Sequence, residues 1–334
     1  MQVCKVRPSL ITRGAVALIL STLLLVQCRN TLQPSGIYGT YTHAKECMRA
    51  IRLAAYQNLA FSDGSLPNCL RMAFHDAATY RRSRDTGGAN GSVLNEVAAG
   101  NYSAHAGLNI CHDKVLDIVP RIRADACPEL TYADAIAVLG AAAAEMAGFQ
   151  SIPMLLGRPD NLTAFDDVDG FVGECFDSDA QIKFWAEAGM SDPTKAAVTL
   201  SSAHGVGTVR VSPVNNCKLG TGPMTPSSRT FDNHYYDVAA NPSAYPRQRL
   251  LFSDRLLANG SATSGLFETY RTDQSAWAAA FTQQFQEMTM LGVQPSGGYG
   301  VNDGWCDGCG EYRGLAVRSS SLPGVFRGLP DLFP

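Results

Sequence analysis

An arginine and a histidine four positions apart are the first residues in this sequence whose types and spacing could do acid–base chemistry. They are Arg71 and His75, in the segment L-R-M-A-F-H-D that begins at Leu70. Residues at this spacing lie on one face of a helix. A histidine can take up and return a proton near neutral pH, and an arginine can stabilise developing negative charge. A solvated helix face often carries the same pair, so spacing alone leaves both interpretations open.

Oxygen donors of the kind that calcium binds follow this pair. Asp76 comes next, and the glycine-rich stretch from 87 to 92 adds the backbone carbonyl of Gly88, the amide of Asn90 and the hydroxyl of Ser92. Calcium prefers such hard oxygen ligands in a flexible geometry. A plain loop with an Asx-turn is the alternative, and these residues do not separate the two.

A second histidine, His204, closes the segment T-L-S-S-A-H. Asp192 and Pro193 predict the start of a helix, and Gly205 predicts its end. Taken alone, this histidine would be an ordinary core residue. A carboxylate follows at the end of L-L-F-S-D, where Asp254 could cap a helix or bind a histidine N–H.

Together these segments resemble those of the plant, fungal and bacterial haem peroxidase superfamily. R-M-A-F-H-D and the later G-A-N-G-S are similar to its distal motif and calcium loop, L-S-S-A-H-G to its proximal signature, and T-F-D-N-H-Y-Y and L-L-F-S-D to two later segments. The resemblance implies haem b as cofactor. It gives each matching residue a role: His75 as distal acid/base, Arg71 as distal cation, Phe74 as the aromatic beside them, His204 as iron ligand and Asp254 as its partner. It also implies calcium at Asp76, Gly88, Asn90 and Ser92, and a second cation at Thr225 and Asp232.

The activity that the resemblance implies is reduction of hydrogen peroxide to water with one-electron oxidation of a small organic donor. His75 would move the peroxide proton, and Arg71 would stabilise the charge that develops as the O–O bond breaks. An alternative is a haem-binding protein of the same fold with weak or lost turnover and an extracellular binding or structural role. A helical calcium-dependent adhesion module without haem is a third hypothesis.

Several positions depart from the family pattern. Asn90 stands where an aspartate is usual, Met224 where the intracellular branch has a tryptophan, and Gly205 where a threonine or serine is expected. His105 stands where an asparagine bonds the distal histidine, and we expect it to alter the basicity of His75 and to slow the reaction with peroxide. Asn68 and Gly64 stand where manganese-oxidising members have acidic residues, so manganese is disfavoured as a donor. Thr199 and Pro213 replace the residues that lignin-oxidising members and ascorbate peroxidases use, so lignin and ascorbate are disfavoured too.

The elements that would position these residues are helices. Apolar spacing predicts a mainly α protein, and a loop near residue 160 predicts a boundary between two lobes, over 31–160 and 161–334. The resemblance implies that these are the distal and proximal lobes of a haem peroxidase fold, with the haem between them. The predicted helices are Ala44 to Leu59, Leu70 to Tyr80, Ala106 to Ala124, Tyr132 to Ala147, Asp179 to Ala188, Lys195 to His204 and Ala276 to Leu291. Loops are predicted at 84–91, 157–170, 212–229 and 295–310.

The N-terminus and the cysteines predict export. Basic residues precede an apolar run from Ala15 to Val26, which is typical of a signal peptide over residues 1–30. Eight cysteines follow it, so up to four disulfides are expected in a secreted protein, and the resemblance implies that Cys47 pairs with Cys127. Cys306 and Cys309 form a C-x-x-C that is either structural or a redox or zinc pair.

Sequons at Asn90, Asn101, Asn161 and Asn259 predict glycosylation. A net charge of −3 argues against nucleic acid or membranes as partners.

Overall fold

The structure is a computed structural model that describes residues 41–100, 103–163, 171, 173, 175–209, 217 and 220–293. The predicted signal peptide, Asn101, Pro213, Cys306, Cys309 and the loop at 295–310 lie outside the described residues. The described part contains eleven α-helices and one two-stranded antiparallel sheet. The mainly α prediction is therefore confirmed.

The first five helices are built around one that is rich in alanine. They are α1 (Tyr41–Asn58), α2 (Ser65–Ala77), α3 (Val93–Ala99), α4 (Asn109–Asp125) and α5 (Tyr132–Met146). Alanine has the highest helix propensity, and the Thr131 hydroxyl caps α5 by accepting the Asp134 N–H at 3.1 Å. Gly140 lets α2 approach closely, since a Cβ there would lie 2.5 Å from the Cβ of Ala73. A larger residue at 140 would thus push α2 away from α5.

The other six helices follow residue 170. They are α6 (Ser178–Glu187), α7 (Pro193–Leu200), α8 (His234–Ala240), α9 (Phe252–Asn259), α10 (Ser264–Thr272) and α11 (Gln274–Met288). Aspartates cap three of them: Asp177 accepts the Ala180 N–H, Asp192 the Lys195 N–H and Asp273 the Ser275 and Ala276 N–H groups. In the described residues, the principal helix contacts fall within α1–α5 or within α6–α11.

Two predicted boundaries needed correction at residues near the site. The helix expected over Lys195 to His204 ends at Leu200, and a 3-10 turn over Ser201–Gly205 follows. The loop expected over 212–229 contains β2 (Gly222–Pro223), which pairs with β1 (Thr208–Val209). His204 lies on the 3-10 turn and not in the helix.

Buried aromatic rings hold the second set of helices together. Phe231, Trp277 and Phe281 pack edge to face or tilted with centroids 4.8 to 6.3 Å apart, and Phe149 joins them from the chain after α5. The Trp277 indole N–H donates to the Ser202 hydroxyl at 2.8 Å. This contact ties the aromatic cluster to the turn that carries His204.

Three disulfides cross-link the described residues. Cys47 pairs with Cys127 as the resemblance implied, Cys69 with Cys111, and Cys175 with Cys217. The first joins α1 to the segment before α5, and the second joins α2 to α4. No helix in the described ranges combines the length and apolarity needed to span a membrane.

Candidate active site

Helix α2 carries four of the predicted site residues, Arg71, Phe74, His75 and Asp76. Leu70, Ala73 and Ala77 are buried and fix the helix against its neighbours, so Arg71 and His75 point elsewhere. The Arg71 guanidinium donates to the carbonyls of Ala104 and Ala106 at 2.7 and 2.8 Å. Arg71 is accessible to solvent, yet desolvation lowers its pKa to about 10.

His75 is almost fully buried among aromatic rings. Its ring meets Phe171 at 5.0 Å and Phe74 at 5.3 Å, and Phe74 also packs against Trp185 at 5.8 Å. Burial lowers the pKa of His75 well below its ordinary value, and the positive charges of Arg71 and His204 act in the same direction. The imidazole is thus neutral at physiological pH and able to accept a proton.

His105 lies behind His75 and connects it to a carboxylate. The Nδ1 atoms of the two histidines are 2.9 Å apart, and His105 Nε2 is 2.6 Å from an oxygen of Glu96. The other Glu96 oxygen accepts the Ser92 hydroxyl at 2.9 Å. Sequence reasoning identified His105 by its register but missed Glu96, which stands on α3 nine positions earlier.

His204 occupies the 3-10 turn after α7 and has a direct carboxylate partner. Its Nδ1 lies 2.9 Å from Asp254 Oδ1, and the side chain is 38% exposed. Burial would lower the pKa of His204, but the Asp254 charge and hydrogen bond outweigh it, so the pKa is raised. The charge of Arg71 also reaches this ring, so the two side chains lie near each other.

Asp254 bonds His204 as expected, but it is the third residue of α9 and not its N-cap, which is Leu251. Its Oδ2 accepts the Leu251 N–H at 2.9 Å at the start of α9, while Oδ1 accepts from His204. The Tyr235 hydroxyl also donates to Oδ1 at 2.9 Å. Tyr235 is fully buried on α8, and although the F-D-N-H-Y-Y segment contains it, its contact with Asp254 was not predicted.

In the loop expected to bind calcium, the side-chain oxygens of Asp76 and Asn90 accept hydrogen bonds from backbone N–H groups. Asp76 is buried and accepts the Gly91 and Val93 N–H groups at 3.0 and 3.4 Å, while the Asn90 amide oxygen accepts the Ser92 N–H. Gly88 approaches the Leu291 carbonyl so closely that a Cβ would lie 2.3 Å from its oxygen. Burial raises the pKa of Asp76 to about 7 despite the two amide donors, and the nearby Glu96 charge adds to that shift.

The residues expected at a second cation have local partners. The Thr225 hydroxyl donates to the Gly205 carbonyl at 2.8 Å, and the Asp232 carboxylate accepts the His234 N–H at 3.0 Å. Met224 is half-buried, and its N–H donates to the Gly207 carbonyl at 3.1 Å. These contacts keep the segment near the His204 turn.

The donor set fits a haem. With Nδ1 of His204 committed to Asp254, Nε2 is the nitrogen left for a metal, and a carboxylate behind a ligating imidazole raises its basicity. The His204 side chain is 38% exposed and Arg71 is exposed, so both are accessible to a bound group. His75 lies close enough for the His204 charge to lower its pKa. The site therefore contains one imidazole that is hydrogen-bonded to a carboxylate and a second imidazole that is buried and neutral.

Comparison with known proteins gives the same family as the resemblance. The family model described as peroxidase matches residues 48–273. L-ascorbate peroxidase 3 of Arabidopsis thaliana is 28% identical over 77% of this chain and 84% of its own length. Mitochondrial cytochrome c peroxidases are similar too: that of Cryptococcus neoformans is 25% identical over 70% of the chain and 63% of its own length, and that of Emericella nidulans is 25% identical over 76% and 73%. The chain belongs to the haem peroxidase family.

Proposed function

We propose that this protein reduces hydrogen peroxide to water at a haem b and oxidises a small organic donor in one-electron steps. Reaction with peroxide follows from the family, whereas the donor class is part of the proposal. The observation that carries it is the pairing of buried, neutral His75 beside Arg71 with a second histidine, His204, that is bound to Asp254. Neither Arg71 nor Asp254 is needed merely to hold a haem.

Each residue has a defined task in this reaction. His204 would hold the haem iron through Nε2, and that haem supplies the centre that exchanges electrons with peroxide and donor. His75 takes a proton from one peroxide oxygen and returns it to the other, which leaves as water. Arg71 stabilises the negative charge that develops on the leaving oxygen. Phe74 and Phe171 exclude water from the side of His75.

Rapid mixing of the haem-loaded protein with hydrogen peroxide tests the proposal. We expect the haem absorption to change at a rate proportional to peroxide concentration in the micromolar range, and to return when a phenolic donor is added. The alternative, a haem-binding protein with weak or lost turnover, predicts a stable haem spectrum that peroxide does not change. A protein without haem absorption would favour the adhesion module instead.

We propose calcium at the distal loop as well. The Asp76 carboxylate is buried without a cationic side chain bonded to it, and a divalent cation would stabilise its charge. The oxygens of Gly88, Asn90 and Ser92 belong to the same loop. Metal analysis of the purified protein should give calcium that is lost in Asp76→Asn. The second cation, at Thr225 and Asp232, stays a prediction that Asp232→Asn would test in the same way.

Export and the two-lobed division are proposals of the same kind. Three disulfides support passage through an oxidising compartment, and Asn161 and Asn259 are exposed and available for glycosylation. The division into lobes over 31–160 and 161–334 agrees with helix contacts that fall within α1–α5 or α6–α11 in the described residues. When the full chain is expressed in eukaryotic cells, we expect the culture medium to contain a protein that begins after residue 30. Its mass should fall on treatment with a glycosidase.

A further inference from the structure

Three buried side chains form a line that ends on the acid–base histidine. Glu96, His105 and His75 are 0%, 4% and 5% exposed, and the two contacts along the line measure 2.6 and 2.9 Å. Ser92 fixes the far end, since its hydroxyl donates to the second oxygen of Glu96. Such short contacts between buried groups require each donor to meet an acceptor.

The donors and acceptors along this line can be assigned from chemistry. An ionised carboxylate only accepts, so His105 Nε2 must carry a proton and donate it to Glu96. When His105 carries no second proton, its Nδ1 is bare and accepts from His75, whereas a doubly protonated His105 would donate to His75 and leave the proton of His75 on Nε2. With His105 neutral, His75 must carry its own proton on Nδ1, and its Nε2 is consequently bare.

We propose that Glu96 and His105 are positioning residues that hold His75 in the tautomer with a bare Nε2, able to accept the peroxide proton. The inference rests on the proposed function, because it concerns how His75 is prepared for that reaction. It also reverses the sequence-based expectation for His105. We now expect His105 to support the reaction with peroxide and not to slow it. Its Nδ1 accepts the hydrogen bond from His75 that an asparagine amide oxygen accepts elsewhere in the family.

The same line stabilises His75 after it has taken the proton. His75 then carries hydrogens on both ring nitrogens, with its Nδ1–H still donated to His105, whose Nε2–H is donated to the Glu96 anion. No proton leaves the line, and the one taken at Nε2 returns to the leaving oxygen. Polarisation along consecutive hydrogen bonds strengthens each of them in a site of low dielectric.

Nitrogen NMR tests the tautomers without any turnover. The full-length protein would carry 15N-labelled histidine and zinc protoporphyrin, which is diamagnetic. We expect a protonated Nδ1 and bare Nε2 for His75, and the reverse for His105. The signals are assigned by their loss in His75→Ala and His105→Asn. A proton on Nε2 of His75 would overturn the inference, whatever the peroxide activity of the iron-loaded protein.

Two amide variants at position 105 then separate positioning from packing. The asparagine oxygen of His105→Asn can occupy the place of Nδ1 and accept from His75, whereas the longer side chain of His105→Gln reaches towards Glu96. We expect His105→Asn to react with peroxide within a few-fold of wild type and His105→Gln to lose about 10–100-fold, the usual effect of removing such a partner. Both should keep the haem absorption band. Equal rates in the two variants, or a faster His105→Gln, would contradict the proposal.

If His105→Gln does not bind haem, the His75 nitrogen shifts in wild type and His105→Asn decide the question alone. A tautomer as assigned, combined with no spectral response of wild type to peroxide, would instead reject the proposed function and leave the positioning inference standing.

Discussion

His75 and His204 have the same side chain and each is hydrogen-bonded through Nδ1, but their surroundings shift their pKa values in opposite directions. The pKa of His75 is far below its ordinary value because the ring is buried and lies near the positive charge of Arg71. Burial acts on His204 too, but the Asp254 carboxylate reverses its effect. What separates the two is the position of the nearest carboxylate.

The two carboxylates lie at different distances from their histidines, and each placement suits a different task. Asp254 bonds the His204 ring directly, which makes the imidazole a stronger donor to a metal. Glu96 is one imidazole further from His75, so it can orient the ring through His105 without holding a proton on it. A base that must release its proton within one reaction needs the second arrangement.

The largest effect is expected from removing the distal histidine. His75→Ala deletes the acid–base group, so we expect the rate of reaction with hydrogen peroxide to fall about 10²–10⁴-fold. The haem should stay bound, because His204 is unchanged. Stopped-flow absorbance of the haem gives the rate, and His112→Ala, at a histidine whose side chain hydrogen-bonds the adjacent Asp113, serves as control. A variant as fast as wild type would remove His75 from the mechanism.

A smaller effect is expected from the direct carboxylate on the other side. Asp254→Asn keeps the shape but removes the charge behind His204, and we expect about 10–100-fold slower reaction with peroxide. The reduction potential of the haem should rise, because a less basic ligand stabilises the oxidised iron less. Redox titration measures the shift. The control is Asp273→Asn, a helix cap on α11 with bonds to Ser275 and Ala276. An unchanged potential would contradict the role given to Asp254.

Glu96→Gln should have less effect than Asp254→Asn, because a neutral imidazole separates the carboxylate from His75. The glutamine oxygen can still accept from His105, so the tautomer is kept and only the charge is lost. We expect less than about a tenfold loss in the rate with peroxide. Ser92→Ala, which removes the hydrogen bond from the Ser92 hydroxyl to Glu96, provides the comparison. A loss as large as that of Asp254→Asn would mean that the two carboxylates act alike.

The sequence was sufficient for the long helices and for the two histidines. The helix now described as α5 was predictable because its alanines and the cap at Thr131 act locally. Helices α3, α8, α9 and α10 were missed, since helices of seven to nine residues contain too few turns to establish a periodicity. Their contacts with neighbouring helices, which local sequence does not encode, stabilise them.

The partners of the histidines were harder to predict than the histidines. Asp254 was identified through a segment similar to the family's, and its hydrogen bond to His204 is present in the structure. Glu96 and Tyr235 lie on the short helices α3 and α8, and they reach the site only because those helices pack beside it. Neither residue has a local pattern that distinguishes it from an ordinary helix residue.

Tyr235 allows the finest test of the difference between the two sides. Its hydroxyl shares Oδ1 of Asp254 with His204, so it withdraws part of the negative charge that His204 would otherwise feel. Tyr235→Phe should therefore lower the haem reduction potential, the opposite sign to Asp254→Asn, by a smaller amount. Loss of one buried hydrogen bond should also cost about 1 kcal/mol of unfolding free energy. Tyr236→Phe is the matched control, because that buried hydroxyl donates to the Val198 carbonyl at 3.2 Å and does not bond Asp254. Redox titration and denaturant unfolding of both variants separate the two effects: a fall in potential in Tyr235→Phe alone ties it to Asp254, whereas equal shifts in both would assign it to lost packing.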